Sequence, residues 1–407
     1  MTTGPAMPSR FGVGFSEDSD SRRAGLAAAH AALLEAGGGL PSLVLLFSTS
    51  RHDPHVLGTA VREVAGAQAR LVGGYAVGVI TNDQLAYDGY QVGVAMLIGE
   101  DIDVHLFTAG GLADGEEEVG LRLGRQLVQA RFAGTPCMLL LYDSVNRSSG
   151  RFELNMATPL LRGMRQVMPE LPMMAGAGLV GDMLCQATHQ WIDDRVEQQT
   201  ALALVLSGSV RMDTIIMHGC RPSSRYHTIT KTDGATVLEI DHRPALDVIA
   251  DLLGSESDIS WRDYSFFVTL GVNMGEEYSF NENRYVNRLC LRVDTKRKGL
   301  VMFEPDLQPG SRVQLMRRSV DMDYVRKRAE ELLARLQDRR PLLAFYIDCA
   351  GRAGTYAGTE DEEAAQLQTV LALRMPFLGI YSGVELGPIG GVVMPLDWTG
   401  VLCIFSA

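Results

Sequence analysis

The chain has 407 residues, of which 46% are hydrophobic and 21% charged, which is the composition of a folded globular protein rather than a disordered or membrane one. Lysine and arginine total 37 against 49 aspartate and glutamate residues, so the net charge of -12 excludes a broad basic face for nucleic acid. The six cysteines form no Cys-x-x-Cys pair, which indicates reduced thiols and argues against structural zinc.

The beginning of the chain, Met1 to Arg10, lacks the apolar stretch that follows a positive region in a signal peptide. Apolar runs elsewhere fall far short of the roughly 18 residues that cross a bilayer. We therefore expect a cytoplasmic protein without membrane insertion.

The first of three similar sequence units follows a lead-in strand and helix that we predict within residues 1–39. It opens with the apolar run Ser42–Phe47, which continues through a polar loop into a segment with apolar residues at helical spacing. A glycine-containing strand, Ala69–Gly78, and a closing strand, Gln91–Ile98, complete the unit. The order is strand, loop, helix, strand, strand.

The second unit repeats this order after a helix whose first turn, from Asp114, is acidic, as the helix dipole favours. Its first strand is Cys137–Tyr142, and Thr158-Pro159 predicts the cap and first turn of the following helix. The strands Pro172–Gly181 and Ala201–Leu206 then match the end of the first unit. A repeated order of this length indicates duplication.

A different, strand-rich stretch separates the second unit from the third. It contains a short helix, Pro244–Gly254, alternating strand-like runs at Phe266–Leu270 and Asn287–Val293, and a further helix, Met322–Leu336. We predict that this stretch is a β-rich insertion.

The third unit runs from the strand Leu342–Ile347 through a helix around Leu367 to the strands Pro376–Glu385 and Gly400–Phe405. The whole pattern predicts an α/β fold with mixed sheets, built from duplicated strand-loop-helix-strand units in two packed modules. We expect the first module to cover residues 40–215, and the second, with the insertion, to cover 216–407.

Several segments of the two modules form recognisable motifs: Tyr226–Leu253, Asp348-Cys-Ala-Gly-Arg352, Gly379–Pro388, Phe47–Ser50 and Val72–Gly78. These motifs resemble those of the FIST-domain family, with its N-terminal and C-terminal modules in that order. The resemblance implies an intracellular sensory protein that binds an amino acid or a similar small polar molecule and signals through a separate partner. A subset of the family is associated with haem, nitric oxide and histidine kinases.

Arg352 and Glu385 are the strongest candidates for ligand contacts, because both follow strands of the third unit, where open α/β sheets bind ligands. Arg352 presents a planar fork to a carboxylate, and Glu385 accepts from an ammonium group, so together they could hold an amino acid. The alternative is that the two side chains pair with each other and fix the glycine-rich turn.

Further candidate ligand contacts lie in the same loops and in the matching loops of the first unit. Cys349 lies close to Arg352, whose positive charge would lower the pKa of the Cys349 thiol. The alternative, and the commoner arrangement, is that Cys349 is a small residue packed at a strand end. Tyr381 either lines the pocket or packs. The remaining candidates are Gly383, Ser48, Ser50, His52, Gly74 and Tyr75.

Two alternative functions stay open at this point. The first is a haem b sensor, which needs an axial histidine in an apolar pocket; His189, His242 and His52 are all eligible, and no metal ligand is assigned. The second is a small-molecule enzyme that uses Cys349 or Glu385, for which no nucleophile with an adjacent base is visible. A dinucleotide fingerprint at Gly176–Gly181 is disfavoured, because no helix is predicted directly after it.

Overall fold

The computed structural model describes residues 8–254, 268–319, 321–358 and 360–407. The fold is mixed α/β, as predicted, and the sheets contain both parallel and antiparallel pairs. The predicted strand Phe266–Leu270 begins outside the described residues, and the observed strand starts at Thr269.

The first repeat contains six strands and two helices. Asp20 and Asp53 cap the two helices by accepting hydrogen bonds from backbone N–H groups of the first turn. The elements are β1 (Arg10–Ser16), α1 (Ser21–Glu35), β2 (Pro41–Ser48), α2 (Pro54–Ala65), β3 (Arg70–Tyr75), β4 (Gly78–Thr81), β5 (Leu85–Tyr87) and β6 (Val92–Ile98).

The second repeat has the same order, with a two-residue strand pair added after its first central strand. The elements are β7 (Ile102–Gly110), α3 (Glu116–Gln129), β8 (Cys137–Asp143), β9 (Val145–Asn146), β10 (Glu153–Leu154), α4 (Ala157–Val167), β11 (Met173–Leu179), β12 (Gln190–Ile192), β13 (Arg195–Glu197) and β14 (Thr200–Gly208). Strand β12 follows β11 without a helix between them, which confirms that Gly176–Gly181 is not a dinucleotide-binding loop.

The third repeat is interrupted after its first strand by the insertion. Its first strand and the insertion comprise β15 (Arg211–Met217), β16 (Cys220–Pro222), β17 (His227–Asp233), β18 (Thr236–Ile240), β19 (Arg243–Pro244), α5 (Ala245–Leu253), β20 (Thr269–Asn273), β21 (Tyr285–Asp294), β22 (Gly299–Met302) and β23 (Arg312–Arg318). The repeat then resumes with α6 (Asp323–Leu336), β24 (Pro341–Cys349), α7 (Gly354–Ala357), α8 (Glu363–Leu371), β25 (Phe377–Ser382), β26 (Val384–Ile389), β27 (Val392–Leu396) and β28 (Gly400–Ser406).

Each repeat builds one six-stranded sheet but completes it with a hairpin from another repeat. The strand orders are β1-β6-β2-β3-β12-β13, β7-β14-β8-β11-β26-β27 and β15-β28-β24-β25-β4-β5. The first repeat therefore donates β4–β5 to the third sheet, the third donates β26–β27 to the second, and the second donates β12–β13 to the first. Backbone hydrogen bonds of this cyclic exchange join the N-terminal and C-terminal modules into one folding unit.

The three sheets enclose one central core and carry helices on their outer faces. Alternate residues of the central strands, such as Leu45, Leu139 and Phe345, point into the shared core. The residues between them pack against α1 and α2, α3 and α4, or α6 and α8, according to the sheet. The carboxyl ends of β2, β8 and β24 therefore meet at one end of the molecule.

The insertion is a closed antiparallel barrel. Strands β23, β17, β18, β22, β21 and β20 pair in sequence, and β20 pairs back onto β23. Helix α5 contributes Leu246 and Ile249 to the core of this barrel. Closure pairs the barrel strands with one another, and Val286 of β21 also packs into the core that the three sheets share.

The predicted cap of α4 is wrong. The helix begins at Ala157, and its first N–H groups are bound by the carboxylate of Glu304 from the insertion, at 2.9 Å to Ala157 N and 2.8 Å to Thr158 N. Glu304 is buried, which raises its pKa to about 7. A distant carboxylate thus replaces the local cap that Thr158 was expected to provide.

The structure also bears on the predictions for the cysteines and for membrane-spanning segments. All six cysteines are free, and five of them are buried. Within the described residues, each helix is too short or too polar to cross a bilayer.

Candidate functional site

Arg352 lies fully buried in the turn that follows β24, where it is surrounded by protein groups. Its Nε is 2.8 Å from Asp348 Oδ1 and its Nη2 is 3.2 Å from Glu363 Oε1. Nη1 donates to the carbonyl of Trp398 at 3.1 Å, and Nη2 donates to the Tyr324 hydroxyl at 3.3 Å. We call these five residues the Arg352 network. Its guanidinium is already held by two carboxylates, so it has no open face for a ligand carboxylate.

Glu385 lies at the same end of the molecule and is also fully buried. Its carboxyl group accepts from Ser382 Oγ at 3.1 Å and from Thr399 N at 3.4 Å. Burial raises the pKa of Glu385 well above its usual range, and Asp348 adds to this effect, which disfavours the charged form that would bind a ligand ammonium group.

The alternative in which Arg352 and Glu385 pair with each other is wrong. Within the described part of the chain, Arg352 forms its ion pairs with Asp348 and Glu363. The reason is topological, because Glu385 lies on the hairpin donated to the second sheet, where it stands opposite Ala177.

The other candidates of the third repeat are packed around the same strand ends. Burial raises the pKa of the Cys349 thiol well above its usual value, and the nearby Glu385 raises it further, so the expected lowering by Arg352 does not occur. The Tyr381 hydroxyl donates to the Glu362 carboxylate. Gly383 packs against the second repeat, where its N–H donates to the carbonyl of Gly178 at 2.8 Å.

His52 and Tyr75 lie together in the first repeat. The Tyr75 hydroxyl donates to the carbonyl of His52 at 2.6 Å. The two ring nitrogens of His52 lie 3.2 Å from Ser21 Oγ and 3.0 Å from the carbonyl of Tyr90. Both side chains are buried, and their polar atoms fix the loop after β2 rather than face a ligand.

Ser48, Ser50 and Gly74 complete the set of predicted residues. The Ser48 hydroxyl is buried, and the Ser50 hydroxyl donates to Asp182 Oδ2 at 3.0 Å. A Cβ atom at Gly74 would lie 2.5 Å from Leu179 Cδ1, so the absence of a side chain permits the close approach of two repeats. Ser50 and Gly74 thus join the first repeat to the second, whereas the Ser48 hydroxyl donates to the neighbouring Thr49 carbonyl.

The strand ends of all three repeats converge, and they are joined directly by backbone hydrogen bonds. These bonds run from Val77 N to Tyr381 O at 3.0 Å, from Ser50 N to Gly181 O at 3.2 Å, and from Gly383 N to Gly178 O at 2.8 Å. The loops therefore lie together as the repeats suggested, but their backbones contact one another at this end of the core.

Buried carboxyl groups around this end make the stability of the protein depend on pH. Burial raises the pKa of Asp397 to about 6, although Arg288 lowers it. Between about pH 4 and 6 we expect this carboxyl group to stay protonated in the folded protein after it has ionised in the unfolded chain, so its contribution to the free energy of unfolding falls as the pH rises. One such group contributes a slope of up to about 1.4 kcal/mol per pH unit, which vanishes above its folded pKa.

We expect Asp397→Asn to reduce this slope by one group's contribution, because the titratable carboxyl group is removed. The fold should be kept, since the asparagine oxygen can still accept from Leu289 N, which lies 2.8 Å from Asp397 Oδ2. Urea unfolding between pH 4.5 and 7 measures the effect. Asp251→Asn, at an exposed carboxyl group, is the control. An unchanged slope in Asp397→Asn would show that Asp397 ionises normally in the folded state.

A cavity of about 560 Å³ lies outside the predicted site, on the insertion. Its walls come from the connection between β16 and β17, the segment before β21, and strand β23. We call it the insert cavity. Its lining residues are Pro222, Ser224, Arg225, Tyr226, Tyr278, Ser279, Phe280, Tyr285, Arg312 and Gln314.

The floor of the insert cavity is fixed by hydrogen bonds. The Tyr285 hydroxyl donates to Gln314 Oε1 at 2.9 Å, and Gln314 Nε2 donates to the Ser224 carbonyl at 2.9 Å. The Tyr226 hydroxyl accepts from Asn273 Nδ2 at 2.9 Å and also hydrogen-bonds the Tyr285 side chain. The cavity therefore combines a floor fixed by hydrogen bonds with aromatic walls.

Sequence reasoning missed this cavity because its residues come from three separated segments. The available signal was the arginine and aromatic content of Arg225-Tyr226 and Tyr278-Ser279-Phe280. Only the closure of the barrel brings these segments to Arg312.

The haem and enzyme alternatives gain no support from the described residues. The cavity beside α2, of about 280 Å³, includes His55, but charged residues such as Asp193 and Arg62 line it as well. His52 uses both ring nitrogens, and His242 is exposed. In the described part of the chain, His, Cys, Asp and Glu side chains form no cluster suited to a metal ion. The raised thiol pKa of Cys349 also disfavours a nucleophile there.

Comparison with known proteins gives matches over nearly the whole chain. The family model of the FIST N domain matches residues 42–243, and that of the FIST C domain matches residues 245–388. An uncharacterised protein of Mycobacterium tuberculosis is 24% identical over 97% of this chain and 99% of its own length. An uncharacterised protein of Mycobacterium bovis is 24% identical over 97% of this chain and 98% of its own length.

Among solved structures, a cyanuric acid hydrolase from A. caulinodans aligns with 98% of this chain and 99% of its own, at 10% identity and a TM-score of 0.31.

Proposed function

Because this chain belongs to the FIST family, whose domains are generally small-ligand sensory domains in signal transduction, we propose that it is a cytoplasmic sensory protein that binds its ligand in the insert cavity. The ligand is an amino acid or a similar small polar molecule, and the signal passes to a separate partner protein. The observation that carries this proposal is the insert cavity itself.

The size and lining of the insert cavity suit a small molecule. Its volume of about 560 Å³ falls within the usual range of ligand sites, roughly 300–1,000 Å³. Aromatic walls with a few fixed polar groups are the common composition of such sites. Arg225 offers an exposed guanidinium, whose nearest carboxylate oxygen, in Asp241, is 3.9 Å away. A ligand carboxylate can therefore bind Arg225 without displacing a close ion pair.

A contact path connects the insert cavity with the three-sheet core. Tyr285, on the cavity floor, packs in one apolar cluster with Cys220, Met316 and Trp398. The carbonyl of Trp398 accepts from Arg352, and the backbone of Trp398 has a φ of 50°, a conformation rare for a residue with a side chain. A ligand that stabilises one position of Tyr285 would shift the population of Trp398 and hence of the Arg352 network.

The proposal is tested by thermal unfolding of the purified chain with a panel of the twenty amino acids. A ligand that binds the folded state raises the Tm in a saturable manner. We expect at least one amino acid to stabilise the protein and Arg225→Met to weaken its binding about tenfold or more, as loss of a charge-assisted hydrogen bond does.

Arg125→Met is the matched control, because Arg125 is exposed on α3 and away from the insertion. Equal binding by Arg225→Met and Arg125→Met would place the ligand elsewhere. The absence of stabilisation by every amino acid would reject this ligand class.

A further inference from the structure

We infer that the insert cavity selects anions with a planar aromatic body, such as aromatic carboxylates. This inference rests on the proposed function of the cavity and adds the class of its ligand. Three features of the cavity carry it: the sign of its charge, the arrangement of its rings and its fixed floor.

The charge of the cavity favours an anion. Of the described residues that line it, Arg225 and Arg312 are basic and none is acidic. Arg312 is held by Glu277 at 2.6 Å, whereas Arg225 is only 3.9 Å from Asp241, whose Oδ2 is also 2.8 Å from His227 Nδ1. Arg225 therefore keeps donors for a ligand.

Arginines also occupy ring faces at the edge of the cavity. The guanidinium of Arg312 lies 4.4 Å from the centroid of the Tyr226 ring, and that of Arg221 lies 4.9 Å from the centroid of Phe280. The faces of Tyr226 and Phe280 that would attract a ligand cation are thus already paired with protein cations. A ligand cation would be repelled at these faces, whereas an anion would meet the guanidinium group of Arg225 in the cavity lining.

The rings form two opposed pairs that suit a flat ligand. Tyr226 and Tyr278 meet edge to face, with ring centroids 5.8 Å apart, and Phe280 and Tyr285 lie 5.3 Å apart at a tilt of 39°. Tyr278 is exposed, and Phe280 is exposed apart from the face that Arg221 covers, so both rings can contact a ligand. Aromatic rings pack favourably in such edge-to-face or offset arrangements, which a saturated ring cannot reproduce.

The fixed floor orients the ligand. Because Tyr285 and Gln314 satisfy each other, the floor offers apolar ring surface rather than free donors. The available donors are those of Arg225, which lies in the segment between β16 and β17. The carboxylate therefore binds at this segment, and the aromatic body lies over Tyr285 towards Phe280.

Four small probes separate the charge from the ring: phenylacetate, cyclohexylacetate, 2-phenylethylamine and acetate, each titrated calorimetrically into the full chain. We expect phenylacetate to bind roughly 3- to 10-fold more tightly than cyclohexylacetate, the usual advantage of an aromatic pair. It should bind roughly 10- to 100-fold more tightly than 2-phenylethylamine, because only the anion forms charge-assisted hydrogen bonds with arginine.

Two variants test whether these binding preferences arise in the insert cavity. Phe280→Leu removes a partly exposed ring while keeping an apolar side chain, so it should reduce the preference for phenylacetate over cyclohexylacetate. Ser279→Asp adds a negative charge at an exposed lining position, so it should weaken phenylacetate and not 2-phenylethylamine. Arg125→Met should bind as the parent protein does.

The outcomes separate this inference from the proposed function. Tighter binding of 2-phenylethylamine than of phenylacetate would overturn the anion preference, and equal binding of phenylacetate and cyclohexylacetate would overturn the aromatic preference. In both cases a ligand still binds, so the proposed function stands. Binding of an aliphatic amino acid but of none of the aromatic acids would also overturn the inference alone. Failure of all probes and all amino acids would overturn both.

Discussion

Replacing Arg352 by methionine is expected to lower the free energy of unfolding by about 3–5 kcal/mol, the usual cost of removing one partner from a buried ion pair. The change leaves Asp348 and Glu363 inside the protein without their cation. Burial already raises the pKa of Asp348 to about 7 although Arg352 lowers it, so the carboxyl group tolerates protonation. The loss should therefore be larger at pH 8 than at pH 5.5. Equilibrium unfolding in urea at the two pH values measures it.

Arg374→Met is the control for this experiment. Arg374 forms an ion pair with Glu330 at 2.9 Å, but both side chains are about half exposed, so its loss should cost less than about 1 kcal/mol. If Arg352→Met and Arg374→Met lost equal free energies of unfolding, the Arg352 network would be screened by solvent in the same way as a surface ion pair. If Arg352→Met does not fold, Arg352→Lys, which keeps the charge without the planar fork, should give an intermediate stability.

Replacing Gly73 by alanine is expected to destabilise the protein by about 3 kcal/mol or more, or to prevent folding, because the added atom meets backbone that cannot move aside. A Cβ atom at Gly73 would lie 1.7 Å from the Leu46 carbonyl oxygen of the neighbouring strand, and the φ of 150° is also unfavourable for a side chain. Soluble yield and urea unfolding measure the effect.

The third repeat provides a matched position for this test. Gly379 pairs with Tyr346 as Gly73 pairs with Leu46, in the same parallel register. There the added Cβ would lie 3.1 Å from the Tyr346 carbonyl oxygen, so small shifts can accommodate it. We expect Gly379→Ala to cost about 1 kcal/mol. If Gly73→Ala and Gly379→Ala destabilised the protein equally, the closer backbone contact at Gly73 would not explain the cost of an added Cβ atom.

The repeats could be predicted from the sequence because the residue patterns that indicate their strands and helices are local. The strand Leu342–Leu343–Ala344 and its partners are continuous apolar runs, and helices such as α8 show apolar residues at helical spacing. Edge strands and short hairpins gave weaker signals. The pairing of β4, β12 and β26 with sheets of other repeats depends on contacts between distant segments, which no local periodicity encodes.

The sequence by itself determined the fold class, the threefold repetition and the chemical identity of the charged strand ends. Tertiary structure alone decided what those charges do: Arg352 meets Asp348 and Glu363 in the core, and Glu385, on an exchanged hairpin, accepts from Ser382 and Thr399 instead. It also created the insert cavity, by closing the barrel around segments far apart in the chain. The physical reason is that burial and pairing set whether a charged side chain is free to bind, and both depend on neighbours that the local sequence does not specify.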